Sequence, residues 1–136
     1  MAGVFRSAIL SFGLLALLVC TAVICAAETL PETPLFQRWQ MMDGDIRKLR
    51  DRLPVGKEPE TSREAQEIAE IMKQIITIYN QAAVMFSSTE TFMDQPDQER
   101  QWCGHMRRSC RIYSDAWRKR ATSMEETVTR LRGEGK

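Results

Sequence analysis

Apolar residues recur every three or four positions in three long stretches of this sequence. The first stretch, from about Pro34 to Leu53, predicts an α-helix, because such spacing keeps one apolar stripe on one helix face. Thr33 can cap its start, and the segment 54–59, with two prolines and a glycine, ends it. Its apolar residues are Leu35, Trp39, Met42, Ile46, Leu49 and Leu53.

The second stretch predicts a more deeply buried helix that begins near Ser62 and ends somewhere within 87–93. Its main stripe consists of Ala65, Ile68, Met72, Ile75, Tyr79, Ala82 and Phe86. Six further apolar residues widen this stripe: Ala69, Ile71, Ile76, Ile78, Ala83 and Met85. A helix that is apolar over so much of its circumference usually packs on two sides, so we expect it to be the central helix.

The third stretch predicts the longest helix, from about Pro96 to Arg132, after a turn at 94–97. At 1.5 Å per residue this helix would be about 55 Å long. The tail 133–136, with two glycines, is predicted to stop the helix and to be disordered. The apolar face carries Trp102, Met106, Cys110, Tyr113, Trp117, Ala121, Met124, Val128 and Leu131.

The predicted fold class is all-α, with one helical domain over residues 28–132. Short connections make sequential helices antiparallel neighbours. The chain should therefore form an elongated antiparallel three-helix bundle, or a long helical hairpin with the shorter first helix packed across it. Because the first helix is too short to cover the other two, the uncovered length predicts a homodimer or contact with another protein.

The N-terminal segment Met1–Ala27 has the pattern of a signal peptide. Arg6 is its one charged residue, and Cys25-Ala26-Ala27 places small residues where signal peptidase cleaves. The alternative is an uncleaved membrane anchor formed by residues 7–27. Either way the remaining chain is expected to work outside the cytoplasm, with the periplasm favoured over secretion.

Charge is balanced overall but concentrated in one segment. The 136 residues include 19 Lys and Arg and 18 Asp and Glu, and Arg6 lies in the leader, which leaves 18 of each sign. This balance and the expected location argue against a nucleic-acid binder. Seven basic residues and one acidic residue lie within 100–120. Six of them form the predicted partner-binding set: Arg107, Arg108, Arg111, Arg118, Lys119 and Arg120. The candidate partner is an acidic protein, an anionic lipid or a polysaccharide; the alternative is internal pairing with the more acidic second helix.

Cys103 and Cys110 are the two cysteines outside the leader, and export predicts that they form a disulfide. Seven residues of regular helix separate them by about 10.5 Å along the axis. A disulfide requires Cα atoms within about 7 Å. A bond within the chain therefore requires a break in the helix, for which Gly104 is the candidate. The alternatives are an intermolecular bond, free thiols or bound metal.

The cluster Cys103, His105, Met106 and Cys110 is the alternative functional site, for copper or zinc. Thiolate, imidazole and thioether ligands suit these metals, but methionine at helical spacing is more typical of a core. His105 is the sole histidine, and no phosphate-binding loop or hydrolase motif occurs. We therefore expect a non-catalytic interaction protein without a resident cofactor, such as an assembly factor, adaptor or chaperone-like subunit. The alternative is a metal-binding or thiol redox-sensing bundle.

Overall fold

The described part of the chain folds entirely into helices and their connections. The computed structural model describes residues 33–92 and 97–135; the leader 1–27 lies outside this part, and so does most of the predicted turn. Within it, α1 spans Pro34–Asp51, α2 spans Ser62–Phe92 and α3 spans Asp97–Gly133, and no strand is present. The predicted all-α bundle is confirmed. No helix in these ranges combines the length and apolar character required to cross a bilayer.

Helix α1 begins where the sequence predicts. The amide of Phe36 donates to Thr33 Oγ1 at 3.2 Å, which is the expected N-cap. These residues belong to an N-terminal unit that ends at Phe36; the remainder of the chain, from Gln37, forms a second unit. The helix ends at Asp51, two residues earlier than predicted. The amides of Arg52 and Leu53 instead donate to carbonyls three residues back, so the last turn tightens.

Helix α2 begins at Ser62 as predicted. It ends at Phe92, within the polar segment 87–93 where the sequence predicts its end without fixing the residue. Thr61 Oγ1 accepts a hydrogen bond from the amide of Glu64 at 3.2 Å, which caps the first turn. Near the other end, the hydroxyls of Ser88, Thr89 and Thr91 each donate to the carbonyl four residues earlier. Their polar groups are satisfied inside the helix, and the helix continues to Phe92.

Helices α2 and α3 pack antiparallel along their lengths. Ala65, near the start of α2, packs against Val128 and Leu131, near the end of α3. At the opposite end, the rings of Phe86 and Trp102 meet edge to face with centroids 5.3 Å apart. Between these points, Ser114 Oγ donates to Asn80 Oδ1 at 2.7 Å. The order of these contacts confirms the predicted antiparallel hairpin.

Helix α1 covers the second half of α2 on a different side. The rings of Trp39 and Phe86 lie 5.6 Å apart, and Ile46 is 1% exposed. Phe86 is completely buried between Trp39 of α1 and Trp102 of α3. The prediction that the second helix is central and packs on two sides is therefore confirmed.

The first half of α2 is also covered by the chain itself. Ile68, Ile71 and Ile75 are each buried, although α1 contacts the other half of α2. The connection 52–61 contributes here, since Pro54 and Pro59 line a recess together with Ile68 and Ile71. The sequence predicts a homodimer because the first helix is too short to cover the apolar faces of the other two. On this part of α2, however, the apolar face is covered. The homodimer remains a prediction without a surface assigned to it.

The residues after α3 form a turn, where the sequence predicted disorder for 133–136. The amide of Glu134 donates to the carbonyl of Arg130, and the two side chains form an ion pair at 3.1 Å. Gly135 has a φ of 73°, a left-handed conformation that glycine adopts without steric cost. Helix α3 therefore ends in a hydrogen-bonded glycine turn, and the final residue lies outside the described part.

Candidate anion-binding face of helix α3

Helix α3 faces the rest of the bundle with two series of residues, and successive members of each series are seven positions apart. The first series is Cys103, Cys110, Trp117, Met124 and Leu131. All of these except the half-buried Met124 are buried. The second series is Arg100, Arg107, Ser114, Ala121 and Val128. Its last three members are buried, whereas its first two carry positive charge. The same helix face therefore changes from apolar to charged toward the start of α3.

Five of the six predicted partner-binding residues share one side of α3. At 3.6 residues per turn, successive side chains are rotated by about 100°, which places these five within an arc of about 120°. They are Arg107, Arg108, Arg111, Arg118 and Lys119. Arg120 is not part of this arc: it lies on the opposite flank, with its guanidinium carbon 4.8 Å from the centroid of the Trp117 ring. The exposed residues Arg108, Arg111, Arg118 and Lys119 are called the basic stripe below.

Most of the charge in the basic stripe is not neutralised by the rest of the described chain. Arg118 pairs with Asp115 at 3.3 Å, but both side chains are well exposed, and such pairs contribute at most about 1 kcal/mol. Arg108, Arg111 and Lys119 have no ion-pair partner among the described residues. Pairing with other residues of the described chain therefore accounts for only part of the positive charge in segment 100–120.

Internal pairing does apply to Arg107. Its Nη1 atom lies 3.4 Å from Glu90 Oε2, and about a third of each side chain is exposed. The contact is an ion pair of poor geometry, because Glu90 Oε2 and Arg107 Nε are buried without a hydrogen bond among the described residues. A buried polar atom left in this state costs on the order of 1–3 kcal/mol. Arg107 therefore forms the edge of the basic stripe and is held by Glu90.

Gly104 allows the Glu90 carboxylate to approach α3 closely. A Cβ atom at position 104 would lie 3.1 Å from Glu90 Oε1 and 3.7 Å from Arg108 Nη1, which is tight against the carboxylate. The surrounding recess has a volume of about 650 Å³ and opens to the surface. It is lined by Glu90, Arg100, Gln101, Gly104 and Arg108. The Glu90 carboxylate thus already lies in this arginine-lined recess at the end of the basic stripe.

Cys103 and Cys110 are buried and not bonded to each other in the structure, and the predicted disulfide stays a prediction. Helix α3 is continuous through Cys103 and Cys110, so the break at Gly104 that such a bond would require is absent. Burial raises the pKa of the Cys110 thiol to about 11. Burial, and then the nearby carboxylates of Glu99 and Glu90, raise the pKa of the Cys103 thiol. A raised pKa disfavours the thiolate, which is the form that acts as nucleophile and metal ligand.

The structure does not bring the four candidate metal ligands together. Cys103 and Cys110 face the core, whereas His105 is exposed and Met106 is half-buried. Residues two apart on a helix are rotated by about 200°, so His105 lies on nearly the opposite side from Cys103. Among residues 33–92 and 97–135, no group of three or more His, Cys, Asp or Glu side chains is arranged to hold a metal ion.

Two residues of the site, Glu90 and Gly104, were not assigned these roles from the sequence. The charge pattern indicates only that the second helix is acidic, and the cysteine spacing makes Gly104 a candidate helix break. A signal existed for Glu90, because Ala69, Ile76 and Ala83 precede it at intervals of seven. A charged residue that continues a core series indicates a paired or partly buried charge.

Comparisons with known proteins add no functional assignment. No protein-family model, curated protein or solved structure matches this chain. What the side chains of the site offer is an exposed row of cations on one helix, with a recess at one end that already contains a carboxylate.

Proposed function

We propose that this chain is an exported, non-catalytic helical interaction protein that binds an anionic partner through the basic stripe of α3. Export is expected from the leader 1–27, which lies outside the described residues. The basic stripe is the observation that carries the proposal. Roles such as assembly factor, adaptor or chaperone-like subunit are all compatible with a rigid helix that presents charge on one face.

The arrangement of the basic stripe supports binding rather than simple solvation. Arg108 and Lys119 are eleven positions apart, so the stripe extends over about 16 Å of helix. Charges held on one rigid element at this spacing create a local positive potential that attracts an extended or helical anionic segment. The bundle as a whole is near neutrality, so this potential is local and directional.

The non-catalytic part of the proposal rests on the reactive side chains that the sequence contains. The single histidine, His105, lies on an exposed helix face, away from the buried thiols. The raised pKa values of Cys103 and Cys110 disfavour the thiolate that nucleophilic or redox chemistry requires. Since the candidate ligands do not converge, no observation favours the copper or zinc alternative.

Charge reversal tests this proposal. Arg108, Arg111 and Lys119 are changed together to glutamate, and binding is measured by fluorescence anisotropy. The comparison between variants is made at about 0.1 M salt, where distant charges are screened. Three anionic probes represent the candidate partners: a decaglutamate peptide, heparin, and vesicles containing phosphatidylserine. We expect the variant to lose at least about tenfold in affinity for the probe that the wild type binds.

The matched control reverses three basic residues outside α3: Arg47, Lys48 and Arg63. They are exposed and form only surface ion pairs, and their reversal changes the net charge by the same amount. The control should bind within about threefold of the wild type, since distant charges are screened over about 10 Å at 0.1 M salt. Equal binding by the stripe variant and the wild type would overturn the proposal.

A further inference from the structure

The Glu90 carboxylate occupies the arginine-lined end of the basic stripe. Its Oε2 lies 3.4 Å from Arg107 Nη1, and its Oε1 lies over Gly104, in the recess that Arg108 also lines. Glu90 is the last acidic residue of α2, so this carboxylate comes from the neighbouring helix. A group with the chemistry of the expected partner is thus supplied by the chain itself.

We propose that Glu90 is an internal competitor, and that an acidic segment of a protein partner displaces it and places its own carboxylate beside Arg107 and Arg108. This inference rests on the proposed function, because it names the partner class of the same site. The partner is an acidic peptide segment because the recess already accommodates a glutamate side chain between these arginines. Continuity with the basic stripe provides further cations for the neighbouring carboxylates of such a segment.

The geometry of the Glu90 contact favours displacement. Arginine binds carboxylates most strongly through two parallel hydrogen bonds, and the Arg107–Glu90 contact does not achieve this. Glu90 Oε2 and Arg107 Nε both lack a hydrogen bond among the described residues. Glu90 is fixed to α2 and cannot move freely to improve the contact, whereas a carboxylate from outside can approach along the open recess.

The position of the recess allows a partner to reach it. It opens to the surface and is lined by Arg100 and Arg108, which are exposed. Its volume of about 650 Å³ exceeds what one carboxylate side chain occupies, so an incoming residue fits once Glu90 moves aside. Two carboxylates cannot share the arginines without repulsion, so the internal and external groups compete.

The test compares decaglutamate binding by the purified wild type and by Glu90→Gln, which keeps the size of the side chain and removes its charge. We expect Glu90→Gln to bind about five- to tenfold more tightly, a typical size for coupling between competing sites. Glu67→Gln is the matched control, because it removes one exposed carboxylate of α2 at a distance from the recess. This control should bind within about twofold of the wild type.

Substitution of Arg107 gives a second test. Its effect on affinity should depend on whether Glu90 is present, which a general change in net charge would not reproduce. If Glu90→Gln releases Arg107 for the peptide, adding Arg107→Gln should cancel the gain. In the background that retains Glu90, Arg107→Gln should change affinity little, because the peptide loses its contact with Arg107 but no longer has to break the contact between Arg107 and Glu90. In the unmodified protein, the nuclear magnetic resonance signal of Arg107 Nε should shift when decaglutamate is added, which tests the inference without any substitution.

The outcomes separate this inference from the proposed function. Equal binding by wild type and Glu90→Gln, with binding still lost on reversal of the basic stripe, would overturn the role of Glu90 and leave the proposed function standing. Tighter binding of heparin or phosphatidylserine vesicles than of decaglutamate would overturn the choice of an acidic peptide. Absence of binding by every variant to all three probes would overturn both.

Discussion

At the two ends of the α2–α3 pair, equivalent positions on the contacting helix faces carry different kinds of residue. At one end, Ala65 packs against Val128 and Leu131, and all three are buried. At the other end, the seven-residue series that includes Val128 reaches Arg107, which faces Glu90 across the helix pair. The first end is closed by apolar contact alone, whereas the second combines the Phe86–Trp102 contact with a partly buried ion pair beside an open recess.

If the proposed function is correct, this difference separates stability from binding along one helix. Apolar burial is favourable without any requirement for precise geometry, so the first end stabilises the bundle in proportion to the area that it removes from water. A partly buried ion pair gains little net stability because desolvation offsets the attraction. A charged residue at a core position therefore suggests a role other than stability, and the role that we propose for it is the binding of an anion.

The largest effect is expected from shortening a side chain at the apolar end. Leu131 is 3% exposed, and Leu131→Ala should lower the free energy of unfolding by about 3 kcal/mol, through lost burial and a cavity. Urea denaturation monitored by circular dichroism measures this change. Ile112→Ala, at a side chain that is 66% exposed, is the control and should change stability by less than about 0.5 kcal/mol. Similar losses in the two variants would contradict the assigned packing of α3.

The next effect depends on pH and concerns Cys110, which lies between the two ends. Burial raises its pKa from 9.0 to about 11 in the folded state. The folded protein therefore retains this proton where the unfolded chain loses it, and stability should fall as pH rises from about 9 to about 11. The loss attributable to this thiol should be roughly 2 kcal/mol.

Unfolding free energies of the wild type and Cys110→Ala at pH 8 and pH 10.5 measure this contribution. The wild type should lose more stability over this interval, because the alanine variant has no thiol at this position to titrate. Parallel losses in the two proteins would show that Cys110 does not titrate as a free buried thiol. That is also the result expected if Cys103 and Cys110 form a disulfide.

A smaller effect is expected at the polar contact in the middle of the pair. Ser114 is buried and donates a 2.7 Å hydrogen bond to Asn80 Oδ1. Ser114→Ala removes this bond and should cost about 1 kcal/mol in urea denaturation. Ser123→Ala, at an exposed position on the same helix, should be neutral within about 0.5 kcal/mol. If the two variants were equally stable, the Asn80 contact would contribute nothing to the packing of α2 against α3.

The smallest effect on stability is expected at the charged end. Changing Glu90 and Arg107 together to leucine removes both charges, and the free energy of unfolding should stay within about 1 kcal/mol of the wild type or rise. Arg107→Leu alone should be less stable than this double variant, since it leaves the Glu90 carboxylate without its cation. A loss of more than about 2 kcal/mol in the double variant would assign the ion pair a stabilising role and weaken the contrast between the two ends.

Much of the fold could be predicted from the sequence because local and periodic signals determine it. Thr33 caps α1 in the way that its position indicates, and the broad apolar stripe of α2 correctly predicts contact on two sides. The covering of Ile68 and Ile71 could not be predicted, because the connection 52–61 has no periodicity that shows where it lies.

The site was predicted less completely because it depends on contacts between helices. The spacing of Cys103 and Cys110 indicated correctly that one regular helix cannot hold a disulfide between them. Whether α3 breaks at Gly104 depends on packing, and in the structure the helix continues there beside the Glu90 side chain. The pairing of Glu90 with Arg107 follows from the register of α2 against α3, which neither helix specifies alone.

Mapping the contact of an anionic peptide on the protein tests the central claim most directly. Decaglutamate is titrated into isotope-labelled protein, and backbone amide shifts are followed by nuclear magnetic resonance. We predict that the perturbed amides cluster at 100–119 and around Glu90, while those around Ala65 and Leu131 are unchanged. Perturbations centred on the Ala65 end, or none at saturating peptide, would contradict the assignment of binding to the charged end of α3.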